Sequence, residues 1–190
     1  HLDADDTKHA KVLRLAVGEH IAVVDAVSDY FECEIVSFEG DELSVSIAQK
    51  LSSYARPEVV LVQGLAKGEK MDAIVRHATE VGIAEFVPMT TSRSVVKLDA
   101  KKSKARFERW ASIAKSAAMQ SGRSSKPVVH APCSVAGAVD IAKDCDAVLI
   151  CWEEAELSST LAEAVSCCIA ATGKDPRSLR IALVVGPEGG

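Results

Sequence analysis

Five residues, Gly186-Pro187-Glu188-Gly189-Gly190, follow directly on the apolar run Ile181 to Val185. Glycines at the carboxyl end of a strand let backbone approach a ligand closely and leave N–H and C=O groups for an adenine or a carboxylate. Open α/β folds bind their ligands at that edge, although a plain tight turn would account for the same glycines. Lys67-Gly68-Glu69-Lys70 follows another apolar run, Val59 to Leu65, and so faces the same side. Pro88, Thr90, Thr91 and Arg93 follow a third run, with hydroxyls and a guanidinium suited to phosphate. Gln120-Ser121-Gly122-Arg123 ends a long helical pattern, where the glycine exposes an amide and a guanidinium or serves only as a cap. Neither the dinucleotide glycine fingerprint nor the P-loop pattern occurs.

Other reactive residues carry less. Glu153 and Glu154 could pair as two carboxylates, but adjacent side chains tend to point apart. His77 stands one helical turn before Glu80 with no further ligand at hand, so no metal site is expected. The six cysteines, Cys33, Cys133, Cys145, Cys151, Cys167 and Cys168, form no CxxC pair and most of them read as buried thiols, with Cys133 or Cys151 the candidates for a nucleophile.

Charge is segregated along the chain. The net charge is −5, yet Arg93, Lys97, Lys101, Lys102, Lys104, Arg106, Arg109, Lys115, Arg123 and Lys126 are interrupted only by Asp99 and Glu108. A positive stripe on an acidic protein suits a polyanion bound at one place; an ordinary solvated helix face is the alternative.

These residues must be held by elements that the hydropathy pattern predicts. From Glu19 to Gln49 apolar residues alternate with period two (Ile21, Val23; Phe31, Cys33, Ile35; Leu43, Val45, Ile47), with a turn at Glu39-Gly40-Asp41, which predicts a small antiparallel β-barrel over residues 1–55. Pro57 marks the linker. Residues 58–190 then alternate strands (59–65, 85–89, 147–152, 181–185) with helices (70–81, 103–121, 135–142, 158–171), the signature of a mainly parallel sheet covered on both faces. In the long helix Phe107, Trp110, Ile113, Ala114 and Ala117 share one face and Lys102, Arg106 and Arg109 another. With 190 residues, 48% of them hydrophobic, the chain has enough to bury a core. Its apolar runs are far shorter than a bilayer requires, and nothing marks export, so a cytoplasmic address is expected, although His1 is not an initiator Met.

Motifs recur in order along nearly the whole chain: His9-x-x-x-Leu13-Arg14-Leu15 with Gly18-Glu19, Lys67-Gly68-x-Lys70-Met71-Asp72 and Ala78-Thr79-Glu80-Val81-Gly82-Ile83. Pro88-x-x-x-x-Arg93-Ser94, Arg109-Trp110, Gln120-Ser121-Gly122-Arg123 with Pro127, Trp152-Glu153-Glu154 and the final glycine loop complete the set. Together they resemble the 16S ribosomal RNA uridine-N3-methyltransferases, a SPOUT-class family with a deep trefoil knot.

The resemblance implies a PUA-like N-terminal barrel that helps hold RNA, a larger domain that binds S-adenosylmethionine, and a homodimer. It implies methylation of uridine N3 in 16S ribosomal RNA of the small subunit. Gly186, Pro187, Glu188, Gly189 and Gly190 match the family's cofactor loop, and Arg93 and Arg123 match positions that meet RNA or the dimer partner. Lys67, Lys97, Arg106 and Arg109 join them as RNA-binding candidates through the basic stripe. No catalytic base is assigned. Met119 departs from the family, which has an acidic residue there. The family also continues past the glycine loop, through a Leu-Gly-x-Arg-Ile-Leu-Arg-x-Glu-Thr-Ala motif that threads the knot and completes the pocket. The chain is therefore expected to be a C-terminally shortened form with an incomplete knot, poor in cofactor binding. The rival reading is a noncatalytic RNA-binding module whose glycine loop is only a turn.

Overall fold

Asp3 opens the first helix, α1 (Ala4–Val12), by accepting a hydrogen bond from the Asp6 N–H at 2.8 Å. This helix does not stand out from the sequence, because it is polar on nearly every side and buries only Thr7 and Ala10. In the computed structural model, residues 1–26, 29–51, 56–92, 94, 98–152 and 160–187 are described. The chain divides into two compact units, His1–Tyr54 and Ala55–Gly190.

In the first unit the alternating stretch forms a three-stranded antiparallel sheet, β1 (His20–Val24), β2 (Tyr30–Glu39) and β3 (Glu42–Leu51), in that order. Its register pairs Ile21 with Cys33 and Ile35 with Val45. The period-two pattern turns Ile35 and Leu43 inward against Ala10, with Leu2, Leu15, Ile21, Phe38 and Val45 around them.

The second unit is a parallel sheet of β4 (Glu58–Gly64), β5 (Glu85–Thr90), β6 (Val128–Val129), β7 (Cys133–Ser134), β8 (Ala147–Cys151) and β9 (Arg180–Val185). The strand order is β6-β5-β4-β9-β8, with β7 also pairing to β5. Its helices are α2 (Lys70–Val81), α3 (Ala100–Gln120), α4 (Val135–Ala142) and α5 (Leu161–Thr172). Alternation along the strands sends Leu61 and Phe86 to one face, where Met71, Val75, Trp110 and Ala114 of α2 and α3 cover them. Val60, Val62, Val87 and Ala182 go to the other, under Ala138 and Ala142 of α4. Trp110, 1% exposed, meets Phe86 edge-on with centroids 6.3 Å apart, a geometry worth about 1 kcal/mol beyond area burial.

Local chemistry sets the helix ends. Asp99 caps α3 three residues earlier than the periodicity predicts, accepting from the Lys102 N–H at 2.8 Å. Thr160 and Glu163 form a reciprocal capping box on α5. Gly82 ends α2 with φ 98°, a left-handed conformation that glycine adopts without strain.

An ionic seam runs along the amino edge of the sheet. Arg180 at the start of β9 bonds Glu58 at 2.7 Å and also Glu85, while His130 Nε2 lies 2.7 Å from the second Glu85 oxygen. Asp146 accepts from the Arg180 backbone N–H at 2.9 Å and from Lys174 at 2.7 Å. Burial would push the Glu85 carboxyl up, but the hydrogen bonds from Arg180 and His130 outweigh it and hold that group below its ordinary range. Charges are thereby concentrated at one edge, and the opposite edge is made of glycines, hydroxyls and backbone.

Candidate functional site

At the carboxyl edge the two central strands, β4 and β9, run in parallel register from Glu58 beside Arg180 to Gln63 beside Val185. Their continuations touch. A Cβ placed on Gly64 would lie 2.4 Å from the Pro187 nitrogen and 2.7 Å from the Gly186 carbonyl carbon. Only glycine fits where one backbone lies so close to another. A Cβ on Gly186 meets nothing within 4 Å, so open space lies beside the loop just where it leaves the sheet.

Gln63 is the functional residue that pattern reading passes over. It closes an apolar strand yet is only 6% exposed, and its amide nitrogen reaches the carbonyls of Gly64 at 3.0 Å and Gly186 at 3.4 Å. The available signal was a carboxamide where a parallel strand should be apolar throughout. A buried amide joining the ends of two strands fixes where the glycine loop begins.

Around this point the edge is polar and shallow. Leu65 N–H donates to the Met89 carbonyl at 2.9 Å, tying β4's end to β5's. Thr90 Oγ1 donates to the Cys133 carbonyl at 2.9 Å, and Ser94 Oγ accepts from the Thr91 N–H at 2.9 Å. The two threonines thus shape the turn with their hydroxyls. Lys67 is exposed beside Gly68, whose φ of 62° makes the turn into α2. Leu65, Ala66, Gly68, Met71, Leu98, Arg106 and Trp110 line a small cavity of about 20 Å³ there, room for one or two water-sized groups. Arg106 is half-buried on that wall, and no described residue offers it a hydrogen bond.

Two other arginines of the stripe are engaged inside the protein. Arg109 donates from Nε to Asp72 Oδ2 at 2.8 Å and again from Nη2, while Trp110 Nε1 donates to Oδ1 at 3.1 Å. The Arg109 guanidinium holds the Asp72 carboxyl below its usual range against the opposing pull of burial. Arg123 donates from Nε to the Glu80 carbonyl at 2.9 Å and from Nη2 to the same oxygen, and its guanidinium fills the space a side chain at Gly82 would need. It satisfies a carbonyl left open at the end of α2. In sequence Arg109 belongs to the basic stripe and Arg123 is either a cap or a contact for RNA or the dimer partner; in the fold Arg109 bridges α2 and α3, and Arg123 caps α2.

Arg93, Lys97, Glu188, Gly189, Gly190 and the Glu153-Glu154 pair lie outside the described residues. Cys133 Sγ donates to the Pro88 carbonyl at 3.7 Å, and burial pushes its thiol up, which disfavours the thiolate a nucleophile needs. Cys151 is exposed at the end of β8. Among the described residues no cluster of His, Cys, Asp or Glu could hold a metal ion, and no helix is long and apolar enough to cross a membrane.

The carboxyl edge therefore presents open space beside Gly186 and a tight turn at Gly68, with Arg106 at the wall of a small cavity. Glycine backbone at the strand ends leaves N–H and C=O groups of the kind a nucleoside cofactor uses.

Known proteins resemble this chain in sequence and in fold. The RNA methyltransferase domain family matches residues 54–190. The ribosomal RNA small subunit methyltransferase E of Bacillus subtilis is 34% identical over 94% of this chain and 69% of its own length. The protein of the same description from Mycobacterium tuberculosis is 30% identical over 100% of this chain and 70% of its own. Among solved structures, a hypothetical protein superposes with a TM-score of 0.83 at 31% identity, covering 100% of this chain and 74% of that one. A methyltransferase of Legionella pneumophila in complex with its bound cofactor S-adenosylmethionine superposes with a TM-score of 0.77 at 27% identity, with the same coverage.

Proposed function

Because the chain belongs to the ribosomal RNA small subunit methyltransferase E family, we propose that it uses S-adenosylmethionine to methylate N3 of a uridine in 16S ribosomal RNA. The observation that carries this reading is the contact of the two central strand ends, Gly64 against Gly186-Pro187, which sets the start of the glycine loop at the ligand edge of a parallel sheet with open space beside Gly186. The relative solved with S-adenosylmethionine has the same fold.

In this proposal residues 58–190 form the SPOUT methyltransferase domain and residues 1–55 a PUA-like barrel that helps hold RNA. The protein works in the cytoplasm as a homodimer, and the larger domain carries the family's trefoil knot. Gly186, Pro187, Glu188, Gly189 and Gly190 contact the cofactor, and Gln63 holds the Gly186 carbonyl where the loop begins. S-adenosylmethionine supplies a methyl group on a positively charged sulfur. Lys67, Arg93, Lys97 and Arg106 hold the RNA so that the uridine nitrogen faces that methyl group, and positioning of this kind supplies much of the rate. The N3 proton passes to water as the methyl group leaves sulfur for nitrogen, and a nearby guanidinium eases its departure by stabilising the anion. Arg106, half-buried at the edge and with no hydrogen-bond partner among the described residues, is placed for that task. Arg109 and Arg123 join these RNA contacts, and their hydrogen bonds also hold α2 and α3 in place.

The test is transfer of labelled methyl from S-adenosylmethionine to 16S ribosomal RNA or to the small subunit, followed by digestion to nucleosides and mass spectrometry. N3-methyluridine is the expected product. RNA binding without cofactor binding would point instead to a noncatalytic RNA-binding module.

A further inference from the structure

On the outer side of the α2–α3 pair, away from the glycine loop, Arg76, Ser112, Ile113, Ser116, Ala117 and Gln120 line a groove of about 340 Å³. Ile113 and Ala117 belong to its apolar lining, and four hydrogen-bonding side chains surround it. Ser112, Ser116 and Gln120 recur every four residues along α3, so they lie one above the other on a single stripe.

All four of these polar side chains are exposed to solvent. Serine and threonine hydroxyls within a helix or at its end commonly turn back to the carbonyl four residues earlier, as Ser121 does to Ala117 at 2.6 Å, Ser166 to Ala162 at 2.7 Å and Thr172 to Cys168 at 2.9 Å. Ser112 and Ser116 do not, and among the described residues neither they, Gln120 nor Arg76 has a hydrogen-bond partner or an ion pair. A protein with 27 carboxylates to 22 cations has acids to spare, yet none is set against Arg76. The nearby Glu80 carboxylate is held by His77 Nδ1 at 3.1 Å.

We propose that this groove binds a backbone phosphate of the ribosomal RNA substrate, as an anchoring point separate from the carboxyl edge. A phosphodiester presents two free oxygens and one negative charge, which a guanidinium grips with two parallel hydrogen bonds. The serine hydroxyls and the Gln120 amide donate to the oxygens that remain, and Ile113 and Ala117 accept the apolar edge of a ribose. Continuity with the basic row of α3 favours RNA over a free anion. The proposal rests on the reading of the chain as a ribosomal RNA methyltransferase.

The experiment is equilibrium binding of the whole chain to 16S ribosomal RNA over a series of salt concentrations, with S-adenosylmethionine binding and sedimentation measured in parallel. Arg76→Ala is expected to weaken RNA binding about fivefold to tenfold and to reduce the slope of log affinity against log salt by about one, the loss of a single phosphate contact. Arg76→Lys should keep the slope, and Ser112→Ala with Ser116→Ala should weaken binding about twofold with the slope unchanged. Cofactor binding should stay at the wild-type value throughout, since none of these residues lies at the glycine loop. Unchanged affinity and slope in Arg76→Glu, alongside a loss in Arg106→Glu, would overturn the groove and leave the methyltransferase reading standing. Arg76→Glu that splits an oligomer in sedimentation would make the groove an interface between copies and overturn the proposal too. A wild-type chain that binds neither RNA nor cofactor would sink both readings together.

Discussion

Gly64 has no room for a methyl group, because its missing Cβ would sit inside the Gly186-Pro187 peptide unit. Substitution must push the two strand ends apart and shift the loop that follows β9. Gly64→Ala is therefore expected to lower S-adenosylmethionine affinity at least about tenfold while costing only about 1–3 kcal/mol of stability, as overpacking does. Titration calorimetry beside a thermal melt separates the two effects, and wild-type affinity in that variant would mean the contact has no part in the site. At this scale the sequence was partly legible. Glycines after an apolar run announced the loop, but nothing in the order of residues said that Gly64 and Gly186 meet, because register between distant strands follows from tertiary packing. Gln63 was hidden for a related reason: a polar residue ending a strand reads as solvent-facing until its partner is known.

Between elements, the joint of α2 with α3 turns on Asp72. It takes hydrogen bonds from Arg109 and from the indole of the fully buried Trp110. Asp72→Ala leaves that indole N–H without its acceptor, which alone costs about 1–3 kcal/mol, with a smaller addition from Arg109 because that side chain is 57% exposed and screened by water. A total near 3 kcal/mol is expected in denaturant unfolding at neutral pH, and Trp110 fluorescence should report the change directly. A loss under about 1 kcal/mol would mean that the joint is held by packing alone. The helices themselves were plain in the sequence, from apolar residues at helical spacing and glycine stops. What they do with their arginines was not. Arg109 and Asp72 are 37 residues apart and Arg123 and Glu80 are 43 apart, and a charge count treats such pairs as free surface charge. The first helix was missed because so little of it is apolar.

For the whole molecule, the ionic seam sets how stability responds to acid. Glu85 titrates below its ordinary value of 4.5 in the folded protein, so the unfolded chain takes up its proton first as pH falls. The seam's contribution is fully present above about pH 4.5 and drains away as pH drops through the lower folded value. Glu85→Gln should melt lower than wild type at pH 7, by the equivalent of about 2 kcal/mol for a largely buried charged network, and the gap should narrow by pH 3. Melting curves at both values check this; a gap that stays constant would show that the carboxylate charge is irrelevant to stability. The parallel sheet with helices on both faces was legible from the alternation of apolar runs, but the strand order was not, since the chain does not state which of its strands become neighbours.

That strand order has a consequence for how the protein is made. β4 is synthesised early in the second unit, yet one of its two neighbours is β9, and the Gln63 amide reaches a carbonyl 123 residues further on. Contacts this remote in sequence form slowly, because a long loop has to be closed before they return anything. A nascent chain that has grown as far as α5 carries its central strand with one flank unpaired. The meeting of Gly64 with Gly186 and Pro187 comes into being only once β9 is made, so a half-made copy lacks the edge to which we assign the methyl donor.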